Sequence, residues 1–205
     1  MPGTYDVTTM YGNMSVYSKV VVKTTIEGKD LVKMYKNETQ FFATFLGTDG
    51  KPLSNTDVTF NINGVFYTRQ TNENGVARLN INLRPDVYIL TAINSVTGES
   101  KGFNITVKPL IESNDLTKYY RNDSNFEVKI YNKDGTLAIN KEVTFNINGV
   151  FYQKTTDSNG IARLGIALRP GNYIITTIVD GLDIGNNINA VSYTHLRAHE
   201  TEADL

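Results

Sequence analysis

The chain has 205 residues, 40% hydrophobic and 10% aromatic, with no cysteine or tryptophan and a formal net charge of −1 from 20 basic and 21 acidic side chains. Disulfides, thiolate metal sites and cysteine nucleophiles are excluded, and a near-neutral chain with interspersed signs lacks the electrostatic footprint of a nucleic-acid binder. No apolar run approaches the ~18 residues that span a bilayer, and the opening "MPGTYDVTTM" lacks the pattern of a secretory signal.

In chain order, "PGTYDVTT" (2–9) matches "PGNYIITT" (170–177), so residues 1–25 read as the last strands of a preceding repeat. "VKTTIEGKDLVKMY" (22–35) overlays "VKPLIESNDLTKYY" (107–120) and opens the next unit. "TQFFATFLG" predicts a strand, and "TDGKPL" after it a turn built on Asp-Gly and Pro. "DVTFNI" and "VFYTRQT" flank Asn63-Gly64, a hairpin signal because a type I′ turn needs positive φ at both central residues. After "NENG", the run "VARLNINL" places Ala77, Leu79, Ile81 and Leu83 on one face and Arg78, Asn80 and Asn82 on the other. "VYILTAI" and "FNITV" complete the unit, and no helix-period pattern of useful length interrupts these runs.

The elements then return. "VTFNINGVFY" occurs at 58–67 and, letter for letter, at 143–152, an offset of 143 − 58 = 85. At that offset Tyr35 falls on Tyr120 and "LRP" (83–85) on "LRP" (168–170), with about half of the residues between Tyr35 and Ile93 identical and no gap. Seven or so short strands per unit, with turns roughly every 8–12 residues, predict an all-β fold of tandem immunoglobulin-like β-sandwich repeats, truncated at both ends. The expected organisation is 1–25 as the end of a preceding repeat, 26–110 as a complete repeat, 111–190 as a second repeat lacking the end of its last strand, and 191–205 as foreign to the fold. The junction "VKPLIESND" is short and carries Pro109, which predicts semi-rigid linkage. Tyr88 and Tyr173, just past tight turns in "RPDVY" and "RPGNY", fit either a tyrosine corner or an ordinary half-buried strand tyrosine.

The run "DGKPLSNTDVTFNINGVFYTRQTNENGVARLNINLRPDVYILTAINSVTG" resembles the tandem Ig-like repeats of adhesin-like surface proteins of methanogenic archaea and, more distantly, bacterial Ig-like repeats of the invasin type. "VTFNING", "TDxNGxARLxI" and "LRPGxYxIT", recurring in that order, carry the resemblance over residues 1–190. It implies a secreted, cell-surface array that is no enzyme and has no catalytic residue, metal or cofactor. Its implied partners are neighbouring repeats of the same chain and glycans or proteins of other cells, with no nucleic acid and no membrane contact in this stretch. Carbohydrate-binding accessory repeats of a secreted enzyme and an envelope-lattice protein are the alternative classes.

Before residue 191 there is no histidine, so triads and histidine bases are unavailable there. Aspartates and glutamates cluster at turns, where they bond local backbone. Glu27, Asp30, Glu112 and Asp115 give a weak calcium alternative at the repeat junctions. Lys33, Lys118 and Asn104 raise an intramolecular Lys–Asn bond, but no acid occupies a matching inward position in both units, since Glu127 has Phe42 as its counterpart. Asn13, Asn37, Asn104 and Asn122 head glycosylation sequons. The sharper candidates are Phe66 and its equivalent Phe151. If Phe60 and Ile62 fill the core, Asn61 and Phe66 share the outer face, where an aromatic repeated once per unit could meet a glycan or a partner. The alternative is cover by a neighbouring strand or domain.

Residues 191–205 break the pattern. They hold both histidines, His195 and His199, spaced i, i+4 beside Glu200, which on a helix would share one face as metal ligands. "VSYTHLRAHET" instead resembles the translation of a transposase-type sequencing adapter, which implies that these histidines carry no biology. Against "GFNITVKP" of the first repeat, the second reads "GNNINA", so the tail is expected to interrupt the last strand.

Overall fold

The structure, a computed structural model, describes residues 1–192. The chain divides into two compact units, one spanning Met1–Lys108 and one beginning at Pro109. Among the described residues all named elements are strands, and no helix is long and apolar enough to cross a membrane.

In the first unit β1 (Gly3–Tyr11) and β2 (Met14–Val22) form a separate antiparallel hairpin. The strands that follow are β3 (Ile26–Gly28), β4 (Leu31–Met34), β5 (Gln40–Phe45), β6 (Asp57–Ile62), β7 (Val65–Gln70), β8 (Val76–Asn80), β9 (Asp86–Ile93) and β10 (Ser100–Lys108). They build a three-stranded sheet, β3-β5-β8, and a five-stranded sheet, β4-β10-β9-β6-β7. The second unit repeats the plan with β11 (Ile111–Ser113), β12 (Leu116–Tyr119), β13 (Asn125–Ile130), β14 (Glu142–Ile147), β15 (Val150–Thr155), β16 (Ile161–Gly165), β17 (Gly171–Val179) and β18 (Leu182–Val191). Its sheets run β11-β13-β16 and β12-β18-β17-β14-β15. Each unit is an immunoglobulin-like β-sandwich.

Period-two alternation makes the core. Along β6, Val58, Phe60 and Ile62 are buried while Thr59 and Asn61 face out, and β14 does the same with Val143, Phe145 and Ile147. Phe41 meets Phe60 edge to face at 5.8 Å between ring centroids, and Phe126 meets Phe145 at 5.9 Å. Such pairs add about 0.5–1.5 kcal/mol beyond burial. Two loops are clipped alike. The buried Thr71 hydroxyl donates to the Leu53 carbonyl and accepts from the Thr56 amide, and Thr156 does the same with Ala138 and Lys141. The repeated Asn-Gly after these strands follows from close approach. Gly75 has φ +72°, and a β-carbon there would stand 2.6 Å from the Phe45 carbonyl oxygen.

The first strand divides between the sheets. β3 pairs antiparallel with β5, and after Lys29 and Asp30 β4 pairs parallel with β10. β8 is shorter than the alternation predicts. Ile81 is buried, but its carbonyl accepts from Lys33 Nζ at 2.8 Å, so the backbone leaves the ladder there. β18 runs through Ala190 to Val191, which lies opposite Tyr119 as Lys108 lies opposite Met34.

Candidate functional site

The two candidate aromatics lie on edge strands. Asn63 and Gly64 have φ of 52° and 77°, and Asn148 and Gly149 have 52° and 78°, as the type I′ turn requires. The two-residue loop fixes the register, setting Phe60 opposite Tyr67 and Asn61 opposite Phe66. With Phe60 and Ile62 buried, the outward face falls to Phe66, 67% exposed, and to Phe151, 63% exposed.

The register adds what sequence alone did not supply. Asn61 lies opposite Phe66 on one side and Thr91 on the other, and Thr91 lies opposite Gly102. This makes a row of aromatic, amide, hydroxyl and glycine across four strands. The second unit repeats it as Phe151, Asn146, Thr176 and Gly185. Phe, Asn and Thr recur at offset 85, but the glycines recur at 185 − 102 = 83, because the loop between the last two strands is two residues shorter. The pairing nevertheless restores the row. Beside it stand the exposed Ile89 and Ile174, each with a methyl 3.6–3.7 Å from where the glycine's β-carbon would be. The row offers one apolar ring, one amide, one hydroxyl and no charge.

The junction acids have local partners. The Asp30 carboxylate accepts from the Asn104 amide at 2.8 Å and its side chain at 3.1 Å, and these bonds hold its pKa below the ordinary carboxylate value. Asp115 is held down likewise by the Asn187 side chain and backbone. Glu112 accepts from the Tyr131 hydroxyl. No group of three or more candidate metal ligands gathers among the described residues. Lys33 and Lys118 are buried, and each ammonium donates to two carbonyls, those of Thr39 and Ile81 and of Ser124 and Ile166. Burial lowers the Lys33 pKa. Asn104 stands on the outer face with Asp30, away from Lys33, and Glu127 pairs with Arg163. His195, His199 and Glu200 lie outside the described residues.

The tyrosines resolve to corners. Tyr88 donates its hydroxyl to the Arg84 carbonyl and Tyr173 to the Arg169 carbonyl, both at 2.9 Å. Tyr5 makes the same bond to Met1 at 2.6 Å.

No family model matches the sequence, and no curated protein matches it. Similar solved structures include invasin, a bacterial integrin-binding protein, at 19% identity and a TM-score of 0.35, covering 81% of this chain and 38% of that one. The chain thus spans well under half of the invasin chain. The fibronectin(III)-like modules of Clostridium thermocellum CbhA match at 11% identity and a TM-score of 0.31, over 83% of this chain and 96% of theirs. A Bacteroides ovatus protein of a mixed-linkage glucan utilisation locus, solved with a mixed-linkage heptasaccharide, matches at 14% identity and a TM-score of 0.32, over 93% and 53%. The order of strands within each sheet, not these scores, assigns the fold.

Proposed function

We propose that the two units are spacer modules of an extracellular, adhesin-like cell-surface protein and that this stretch of chain is not catalytic. One observation carries the reading: in each sandwich the first strand divides, its short leading part pairing antiparallel in the smaller sheet, while its second part pairs in parallel with the last strand. Leu31 to Met34 of β4 lie opposite Ile105 to Lys108 of β10, and Leu116 to Tyr119 of β12 opposite Ile188 to Val191 of β18. Tension pulls the first strand toward its N-terminus and the last toward its C-terminus. Parallel strands pulled that way are loaded in shear, so their hydrogen bonds resist together, whereas an antiparallel pair pulled at one end opens bond by bond. Two residues, Pro109 and Leu110, separate β10 from β11, which leaves little slack between modules. The sequence resemblance favours an archaeal methanogen surface as the setting. On this reading the adapter-like residues 191–205 are foreign to both modules in origin, although Val191 supplies the last backbone pair of β18, opposite Tyr119. Sequencing the source gene across codon 190 tests that origin.

A second reading rests on the row built from Phe66, Asn61, Thr91 and Gly102. An uncharged strip with one exposed ring suits a neutral glycan, and its recurrence in both units suits carbohydrate-binding accessory repeats. A glycan array probed with the full chain separates the two. The spacer reading expects no retention above background. Retention that disappears in Phe66→Ser with Phe151→Ser, while both modules stay folded, establishes the second reading in its place.

A further inference from the structure

The hairpin of β1 and β2 is exposed at every position, yet one of its faces is apolar. The register places Tyr5 opposite Val20, Thr9 opposite Val16 and Tyr11 opposite Met14. Tyr5, Val7, Tyr11, Val16, Val20 and Val22 therefore share one side, 42–82% exposed. A two-stranded hairpin with a bare apolar face is marginal by itself and calls for cover.

What covers it is legible from the second unit. At an offset of 171 − 3 = 168, every pair of β1 and β2 coincides with a pair of β17 and β18: Gly3 and Val22 fall on Gly171 and Ala190, Tyr5 and Val20 on Tyr173 and Ile188, Tyr11 and Met14 on Val179 and Leu182. Both hairpins turn on two residues, Gly12-Asn13 and Asp180-Gly181. The finer geometry agrees. Gly3 and Gly171 have φ of 158° and 156°, each with the hydroxyl of the tyrosine two residues on standing 3.5 or 3.3 Å, and its nearest ring atoms 3.6 or 3.4 Å, from where a β-carbon would be. Each tyrosine hydroxyl then bonds the carbonyl four residues back. In the second unit this same face is core, with Ile175, Val179, Ile188 and Ala190 all at 6% exposure or less.

We propose that residues 1–22 are the closing hairpin of a further Ig-like sandwich, and that its apolar face receives the six earlier strands of that sandwich, of the kind formed by β11 to β16. Those strands belong to the same polypeptide on the N-terminal side of the hairpin. In both complete units the covering strands come first, and only five residues separate β8 from β9 or β16 from β17. The proposal deepens the tandem-spacer reading and rests on it.

The test replaces residues 170–190 of the full chain with a copy of residues 2–22, an exchange of 21 residues for 21. The fit is favourable at the polar positions. Ser18 takes the place of Asn186, whose partner is the Ser113 hydroxyl, and Lys19 takes the place of Asn187 beside the Asp115 carboxylate. Hydrogen exchange of β14, which pairs directly with β17, is the readout. Three of the exchanges trim an isoleucine to valine, and two enlarge buried positions, Val179 to tyrosine at the hairpin end and Ala190 to valine. β14 protection therefore falls by about a hundredfold and a cooperative transition remains. Val7→Asp with Val20→Asp in the inserted copy abolishes the protection, whereas Thr8→Asp with Tyr17→Asp on the outer face leaves it in place. Loss of β14 protection in the plain transplant overturns the proposal. A parallel exchange carrying residues 85–107, a proven closing hairpin, excludes an intolerant insertion point. Equal tolerance of both aspartate pairs overturns it too. So does a concentration-dependent dimer of the unaltered chain that Val7→Asp dissolves, since the occupant is then a second copy. Unfolding of the unaltered chain under force, which the spacer reading predicts to occur in two steps, is a separate measurement, so that reading stands or falls on its own.

Discussion

Gly28 lies against the ring of Phe103: a β-carbon on the glycine would stand 3.0 Å from two ring atoms and 3.3 Å from the Phe42 carbonyl. In the second unit the same two places are taken by Ser113 and Asn186, hydrogen-bonded at 2.7 Å. One sandwich fills the space with an aromatic over a missing side chain, the other with a polar pair. Gly28→Ser therefore destabilises the first unit by about 1–3 kcal/mol through overpacking. Its cost in a Phe103→Asn background is smaller, and a double-mutant cycle followed by urea unfolding measures the coupling.

The tyrosine corners give a second expectation. Tyr88→Phe and Tyr173→Phe each remove one hydroxyl-to-carbonyl bond, to Arg84 and to Arg169, without changing the packing of the ring. Each costs its own unit about 1 kcal/mol and leaves the other unit unchanged. Unit-resolved hydrogen exchange after each substitution checks both halves of that statement.

Glu99 ties the segment before β3 to the loop before β10. Its carboxylate accepts from the Thr24 hydroxyl at 2.6 Å, from the Thr25 hydroxyl at 2.7 Å and from the Thr25 amide. Burial pushes the Glu99 pKa up, but the bonds from Thr24 and Thr25, with the charge of Lys101, outweigh it and hold the pKa below 4.5. A depressed carboxylate contributes stability that is complete above its unfolded pKa and is lost as pH falls through the folded one. The tie is intact at pH 7 and loosens below about 4.5. Exchange of the Thr25 amide, corrected for its intrinsic rate, accelerates over that range, while Glu99→Gln shows fast exchange already at pH 7.

Thr177 is fully buried, and its hydroxyl has no hydrogen-bond partner. The first unit has Ala92 at this position. Thr177→Ala removes an unsatisfied polar group and stabilises the second unit by about 1 kcal/mol, read as a raised urea midpoint. Unchanged or lowered stability would mean that the methyl lost from the core outweighs the hydroxyl.

Local chemistry was the legible part of the sequence. The Asn63-Gly64 turn and the alternation of β6 put Phe60 and Ile62 on one face and Asn61 and Phe66 on the other, because turn type and pleat are set within a few residues. Which of the two faces is core is conditional in the sequence, and burial of Phe60 and Ile62 decides it. What depends on distant backbone was not legible. Lys33 is buried only because the carbonyls of Thr39 and Ile81, six and 48 residues away, converge on its ammonium. The same bond draws Ile81 out of the ladder and ends β8 early. The choice between a corner and an ordinary strand tyrosine hung on where the Arg84 carbonyl points. The row of Phe66, Asn61, Thr91 and Gly102 needed the pairing of four strands, and a two-residue difference between the repeats hides its glycine from simple alignment.

Stretching the full chain from both ends in a single-molecule force experiment tests the spacer account most directly. The account predicts two separate, abrupt unfolding steps, each lengthening the chain by roughly 25 nm, the reach of about 80 extended residues less the folded span. A gradual, low-force extension with no discrete steps would contradict it, because the parallel pairs of β4 with β10 and β12 with β18 would then bear no load.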